Sequence, residues 1–313
     1  MAHELWELQQ KQSLPLPAKK TMSLNRIRDW YEHCDGNVCV SFSGGKDSTV
    51  LLHLVRSLYP EVPAVFSDTG LEYPEIREFV KQFDNVTIIR PEMTFKKVIQ
   101  EYGYPVISKD VSRTLHYAQK ESGWALLKIQ GLNKDGSYSR WKATHYKQWA
   151  FLKDAPFEVH DYCCTVMKKR PLFKFQKETG LLPYVGTMAE ESAQRTQAWM
   201  QTGCNAYEGT HPKSAPLSFW TEQDILQYIV ENDLPIASCY GEIKEDENGK
   251  LFTTGVHRTG CMFCIFGAHL EKSPNRFERM KETHPKQYDF CMRPLDENGL
   301  GLDAVLNYLN IRH

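Results

Sequence analysis

Apolar residues recur at helical spacing over residues 21–33 (TMSLNRIRDWYEH), which predicts a helix. The period then changes. Residues 37–42 (NVCVSF) form a short β-rich run, and the helix-like run TVLLHLVRSL begins at Thr49. Between them stands Ser43-Gly44-Gly45-Lys46-Asp47-Ser48, so the order is strand, glycine loop, helix. A second strand is expected over 62–67 (VPAVFS), running into Asp68-Thr69-Gly70, with a helix over 73–83 and a third strand over 86–90 (VTIIR). Residues 182–187 (LPYVGT) read as a later strand of the same sheet. Strongly apolar strands alternating with helices predict an α/β fold with a parallel sheet covered on both faces. Residues 241–254 predict a polar hairpin or loop around Asn248-Gly249.

With 38 Lys+Arg against 39 Asp+Glu, the 313-residue chain is near neutral, which argues against a generic polyanion binder. The balance is uneven, however. Residues 109–177 hold 14 Lys/Arg against 6 Asp/Glu. Within them, residues 140–153 (RWKATHYKQWAFLK) interleave cations with aromatic residues. One interpretation is a helix with a packed aromatic face and a solvated basic face. The other is a surface for a nucleotide or nucleic acid. The polar N-terminal stretch lacks the apolar core of a signal peptide, and no run nears the ~18 apolar residues that span a bilayer. A cytoplasmic protein with reduced thiols and no membrane partner is therefore expected.

The glycine loop points to phosphate. Paired glycines let backbone N–H groups turn toward an anion, the helix N-terminus adds partial positive charge, and Lys46, Ser43 and Ser48 can hold phosphate oxygens. A tight strand-to-helix turn explains the glycines but not the Lys-Asp-Ser that follows. The Walker A pattern is absent. Asp47 suits a Mg²⁺ contact if the ligand is ATP, or equally an acid stabilised by the helix dipole.

Ser43–Ser48 resembles the PP-loop of the ATP-pyrophosphatase (adenine nucleotide alpha-hydrolase-like) superfamily. Phe66-Ser67-Asp68-Thr69-Gly70-Leu71-Glu72 resembles the "DTG…E" stretch of the phosphoadenosine and adenosine phosphosulfate reductase family. Cys163-Cys164 through Lys168 to Pro171-Leu172 is similar to its "CC…K…PL", and Glu190-Glu191-Ser192 with Arg195 to its "E-S-x-x-R". Pro216-Leu217, Trp220-Thr221, Asp224-Ile225 and Leu234-Pro235 follow in the family's order. The resemblance implies a doubly wound, mostly parallel sheet with a smaller Cys-rich, largely helical C-terminal part. It implies adenine nucleotide, ATP or a sulfonucleotide, held by Ser43–Ser48, Asp68, Thr69, Gly70, Glu191 and Arg195. The expected organisation is an extension (1–24), a nucleotide-binding α/β domain (25–235) with a basic, aromatic insert at about 124–160, and a CxxC and helical region (236–313).

Nine cysteines sort unevenly. Cys163-Cys164 and Cys261-x-x-Cys264 supply two pairs of soft ligands, which on chemistry alone fit zinc or a [4Fe–4S] cluster equally. A lone CxxC could also be redox-active or simply buried. The resemblance implies the cluster, since assimilatory adenosine phosphosulfate reductases bind one through such a "CC…CxxC" set. Cys34 and Cys39 fit a core strand region, Cys291 a packed helix end, and Cys204 and Cys239 loops where a reactive thiol is conceivable.

One departure matters. The reductases carry a nucleophilic cysteine in a Glu-Cys-Gly-Leu-His element near the C-terminus, and residues 302–313 here contain no cysteine. The expected activity is therefore ATP-dependent sulfur transfer to an adenylated acceptor, with Lys46, Asp47, Lys168 and Arg195 as catalytic candidates and a sulfur donor as co-substrate. The acceptor would be a nucleobase, RNA or DNA. The alternatives are sulfonucleotide reduction with a thiol reductant, using Cys239 or Cys291, and a non-catalytic nucleotide- and cluster-binding role.

Overall fold

The computed structural model describes residues 3–313, so the first two residues of the expected extension lie outside the described residues. The chain divides into two compact units, one holding residues up to Asp68, Glu72–Arg90 and Leu172–Thr259, the other Thr69–Leu71, Pro91–Pro171 and Gly260–His313.

In the first unit, six strands among the described residues make one sheet: β1 (Val38–Ser41), β2 (Ala64–Ser67), β3 (Val86–Ile89), β4 (Leu182–Val185), β5 (Asn205–Ala206) and β6 (Lys213–Ser214), in the order β3-β2-β1-β4-β6-β5. Every pairing is parallel except the last, where β5 runs antiparallel to β6. Val38, Cys39 and Val40 have no exposure, so the apolar run of β1 is covered on both faces, as its sequence predicts. The helices Leu16–His33 and Lys46–Leu58 contribute Ile27, Trp30, Val50, Leu51 and Leu54 to the same core as Tyr184 of β4. Each such fully buried apolar side chain stabilises the fold by about 1.5–3 kcal/mol.

A buried ion pair ties two helices of this unit together: Lys19 Nζ donates to Asp224 Oδ2 at 2.6 Å. Asp224 also closes the N-terminal cap of helix Glu222–Glu231 with Thr221. Chain order reverses at β1, which has β2 on one side and β4 on the other, and a crevice at the carboxyl end of such a strand is where open α/β sheets bind ligands. Ser43–Ser48 leaves β1 at that point. The expected hairpin is present as β7 (Ile243–Glu245) paired with β8 (Leu251–Thr253), and Gly249 takes the positive φ (76°) its turn requires.

The second unit is largely helical, with helices Lys109–Gln119, Gly123–Ile129 and Arg140–Tyr146 before the cysteines and Arg276–Thr283, Pro285–Met292 and Leu302–Tyr308 toward the end. Ser108 caps the first of these by accepting from Val111 N. Residues 140–153 are not one regular helix. The α-helix gives way at Lys147 to a 3₁₀ stretch, Lys147–Asp154. At about three residues per turn, Leu152 falls two turns beyond Tyr146 and both side chains are buried. Among the described residues, no helix is long and apolar enough to cross a membrane.

Candidate functional site

The glycine loop is built tightly. Gly44 has φ 72°, and a Cβ there would come within 2.8 Å of Val80 Cγ2. Gly45 caps helix Lys46–Leu58. Inside the loop, Ser43 N donates to Ser48 Oγ (3.2 Å) and Ser48 Oγ donates to Gly45 O (2.9 Å). Gly186, just past β4, presses on the same turn, since a Cβ there would lie 3.2 Å from Ser48 Cα.

Charge gathers around this loop. Lys46 is buried, and its ammonium lies 2.9 Å from Glu222 Oε1, donates to the His257 carbonyl (2.9 Å) and sits 5.5 Å over the Tyr240 ring. Tyr240 Oη accepts from Lys46 N (3.1 Å) and is hydrogen-bonded to Thr259 Oγ1 at 2.7 Å. Glu191 pairs with Arg195 and, at 3.4 Å, with Arg258. Ser192 caps the helix Ala193–Thr202 through Arg195 N. Asp47 Oδ1 is sealed from solvent with no hydrogen-bond partner among the described residues. Burial pushes the Asp47 carboxyl up; Lys46, Arg258 and Arg195 oppose this, and Glu222 adds to it. Burial, then Arg258, pushes the Arg195 guanidinium down. The charges of three cations thus act on a buried carboxyl whose Oδ1 has no hydrogen-bond partner among the described residues.

At the end of β2, Asp68 is buried and accepts from Arg77 Nη2 (3.1 Å) and Arg90 Nε (3.3 Å). Thr69 Oγ1 accepts from Leu71 N, and Gly70 has φ 74°.

In the second unit, Cys163 and Cys164 lead into a π-helix, Thr165–Lys169, which passes into the α-helix Arg170–Thr179. Cys163 Sγ donates to Cys164 Sγ at 3.9 Å. That bond first, then Lys109, Lys168 and Lys169, brings the Cys164 thiol down to about 6 against the opposing effect of burial. Cys163 moves up through the same hydrogen bond, through burial and through the charges of Cys164, Cys264 and Cys261. The charges of Cys164, Cys264 and Cys261 thus all reach Cys163. Cys264 N donates to Cys261 O (3.2 Å) in a tight turn, and burial raises the Cys264 thiol while Arg276 opposes. Among the described residues, no group of three or more His, Cys, Asp or Glu side chains is arranged to hold a single metal ion.

The other cysteines are poorly activated. Cys34, Cys39 and Cys291 are buried, and burial raises the Cys34 thiol to about 11 and Cys39 to about 12. Burial, then Glu75, raises Cys239 to about 12, and burial raises Cys204 and Cys291.

A family model, the phosphoadenosine phosphosulfate reductase domain, matches residues 37–266, from β1 through the second cysteine pair. The chain belongs to the phosphoadenosine phosphosulfate reductase family. Relatives within reach differ in what they are. An uncharacterized protein of Methanocaldococcus jannaschii is 23% identical over 92% of this chain and 55% of its own length, so the chain spans about half of that curated relative. An adenosine 5′-phosphosulfate reductase of Anoxybacillus flavithermus is 22% identical over 87% of this chain and 91% of its own length. A phosphoadenylyl-sulfate reductase from Candida auris, solved in a phosphate complex, covers 79% of this chain and 98% of its own with a TM-score of 0.40 and 14% identity.

Of the family-motif residues, Ser43–Ser48, Glu191 and Arg195 belong to the first unit, together with Asp68. The four paired cysteines and Lys168 belong to the second, where Lys168 acts on Cys164 and Cys264. Sequence reasoning missed Glu222, Tyr240, His257, Arg258 and Thr259 around the loop, and Lys109 and Arg276 around the thiols. A signal existed for three of them: His257-Arg258-Thr259 directly precede the Gly260-Cys261 turn.

Proposed function

We propose that the chain is a nucleotide-dependent sulfur transferase that binds ATP with Mg²⁺ on Ser43–Ser48. One observation carries this reading: the buried, unpartnered Asp47 Oδ1 among Lys46, Arg195 and Arg258. The Asp47 carboxylate would hold a Mg²⁺ ion, which would offset the negative charge of a nucleoside triphosphate. An acceptor oxygen attacks the α-phosphorus, its bond to phosphorus forms, and pyrophosphate leaves. A sulfur nucleophile then attacks the activated carbon, and the C–O bond breaks to release AMP. Lys46 and Arg195 neutralise charge building on the phosphates, and Lys46 must leave Glu222 to do so. Asp68, in the same unit as the loop, borders the nucleotide in this reading.

Cys163, Cys164, Cys261 and Cys264 would hold a [4Fe–4S] cluster. This reading rests on two cysteine pairs held in one unit, with Cys163 and Cys164 in contact at 3.9 Å and the Cys164 thiol lowered by that neighbour and by three lysines. When bound, such a group supplies an electron-transfer or sulfur-holding centre. Lys168, Lys109 and Arg276 balance the thiolate charge. Cytoplasmic residence belongs to this reading, because free thiolates need a reducing compartment.

The test uses anaerobically purified protein. ATP–Mg²⁺ is expected to protect against thermal unfolding more than adenosine 5′-phosphosulfate does, with AMP and pyrophosphate formed when acceptor is present. Sulfite release with a thiol reductant, with preferential protection by the sulfonucleotide, overturns the proposal. That outcome is the second reading, sulfonucleotide reduction, which the Anoxybacillus relative favours through its name and its 91% coverage. Against it, burial keeps the thiols of Cys239 and Cys291 protonated at neutral pH.

A further inference from the structure

We propose that the second unit carries a docking surface for single-stranded nucleic acid, built from Tyr117, Trp124, Tyr138 and Trp141 with Arg140 and Lys147. These four aromatic side chains stand 43%, 43%, 68% and 62% exposed, although their unit has a packed interior in which Tyr146 and Leu152 are buried. Tyr117, Trp124 and Trp141 are joined rather than scattered. Tyr117 and Trp124 have ring centroids 5.3 Å apart, Lys128 Nζ lies 5.9 Å over Trp124 and 4.4 Å over Tyr146, and Trp141 meets Tyr146 at 5.7 Å. His145 stacks on Trp141 at 5.2 Å with an 11° interplanar angle, which holds the indole in place while it stays open to solvent. Tyr138 projects from a small turn closed by the Leu132–Tyr138 bridge.

The charge is complementary to phosphate. Residues 117–153 contain seven Lys/Arg against two Asp/Glu. Both acids are engaged: Glu121 pairs with Lys153 at 2.8 Å, and Asp135 accepts from Ser137 N and Oγ. Arg140 and Lys147 have no carboxylate partner among the described residues. Open rings with the exposed cations Arg140 and Lys147 beside them in the chain match a ligand that alternates a π-face with an anion, and only in a single strand are both base faces accessible. A lipid surface asks instead for a continuous apolar face, which these polar intervals do not provide.

The surface also has an address. Helix Lys109–Gln119 begins at Lys109, one of the cations acting on Cys164, and carries Tyr117 eight residues further on. At about 1.5 Å per residue this is roughly 12 Å along one rigid helix. A strand bound on Tyr117 and Trp124 is thus held within a few nucleotides of Cys164. The inference names the acceptor class for the sulfur-transfer reading and rests on that reading for its purpose, whereas binding itself is measured without turnover.

The experiment follows anisotropy of fluorescein-labelled, mixed-sequence strands of about 20 nucleotides, one of DNA and one of RNA, with the full chain and no ATP. Saturable binding is expected, with quenched tryptophan emission, and the tighter of the two strands identifies the natural polymer. The same sequence as a duplex should bind about tenfold more weakly or worse. Trp141→Ala and Tyr138→Ala should each weaken binding roughly 5- to 100-fold, and Trp141→Phe much less. Arg140→Gln with Lys147→Gln should reduce the slope of log K against log salt by about 1.4. An unchanged melting profile in Trp141→Ala excludes misfolding as the cause. The proposal is overturned by absence of binding at low salt, by equal duplex affinity that ignores the aromatic variants, or by self-association that Trp141→Ala abolishes. Strand binding without AMP formation removes the sulfur-transfer reading and leaves this surface standing; AMP formation without strand binding does the reverse.

Discussion

The buried Lys46 ammonium and the Glu222 carboxylate face each other at 2.9 Å, and the other Glu222 oxygen lies 3.2 Å from His257 Nε2. Glu222 therefore occupies the lysine that a phosphate would use. Glu222→Gln is expected to tighten ATP–Mg²⁺ binding by about tenfold, since a neutral amide competes less for the ammonium. Lys46→Ala is expected to abolish nucleotide protection. Isothermal titration on both variants checks the pair, and a weaker nucleotide affinity in Glu222→Gln refutes the competition.

Asp47 sets stability against binding. Its carboxyl is pushed up by burial, so its charged form costs free energy in the empty protein. Asp47→Asn is expected to raise the melting temperature by about 2 °C, corresponding to roughly 1 kcal/mol, while removing the Mg²⁺-dependent part of ATP protection. Differential scanning calorimetry with and without ATP–Mg²⁺ reads both effects.

Lys19 and Asp224 form a pair whose members are almost fully buried. Lys19→Met strands the carboxylate and is expected to cost about 3 kcal/mol in urea unfolding at unchanged m-value. The double variant Lys19→Met, Asp224→Leu should recover part of that loss, but not all, because Thr221 loses its cap partner.

His160 gives the fold an acid limit. Burial first, then the neighbouring His116, lowers His160 to about 4, with Lys120 and Arg113 adding and Asp161 opposing. Its folded pKa lies below the ordinary 6.5, so the unfolded chain binds this proton first as pH falls. The stability linked to His160 is complete above about 6.5 and drains away between there and about 4. After allowance for its partial exposure the loss is about 1–2 kcal/mol. His160→Gln should flatten the chemical-denaturation stability curve across that window, and an unchanged slope refutes the assignment.

Much of the fold was legible because the signals were local. The consecutive apolar residues of 37–42 call for a strand covered on both faces, and β1 is one. The Asn248-Gly249 turn lies between two short polar strands and closes that hairpin. The two cysteine pairs stand out by spacing, and both lie in the second unit. By contrast, β5 and β6 are two residues each, too short to show a period. Glu222 lay hidden because its sequence neighbourhood, Trp220-Thr221-Glu222, reads as an ordinary helix start; only tertiary packing brings it to Lys46. The 140–153 segment misled because amphipathic spacing was read at one helical period, whereas the chain changes period at Lys147.

The π-helical turn between the first cysteine pair and Arg170 has a consequence for how this segment tolerates change. Its i→i+5 hydrogen bonding spends one residue more per turn than an α-helix, so Lys168 and Lys169 owe their position by Cys164 to a count rather than to side-chain identity. Arginine could replace either lysine and leave the charge in place.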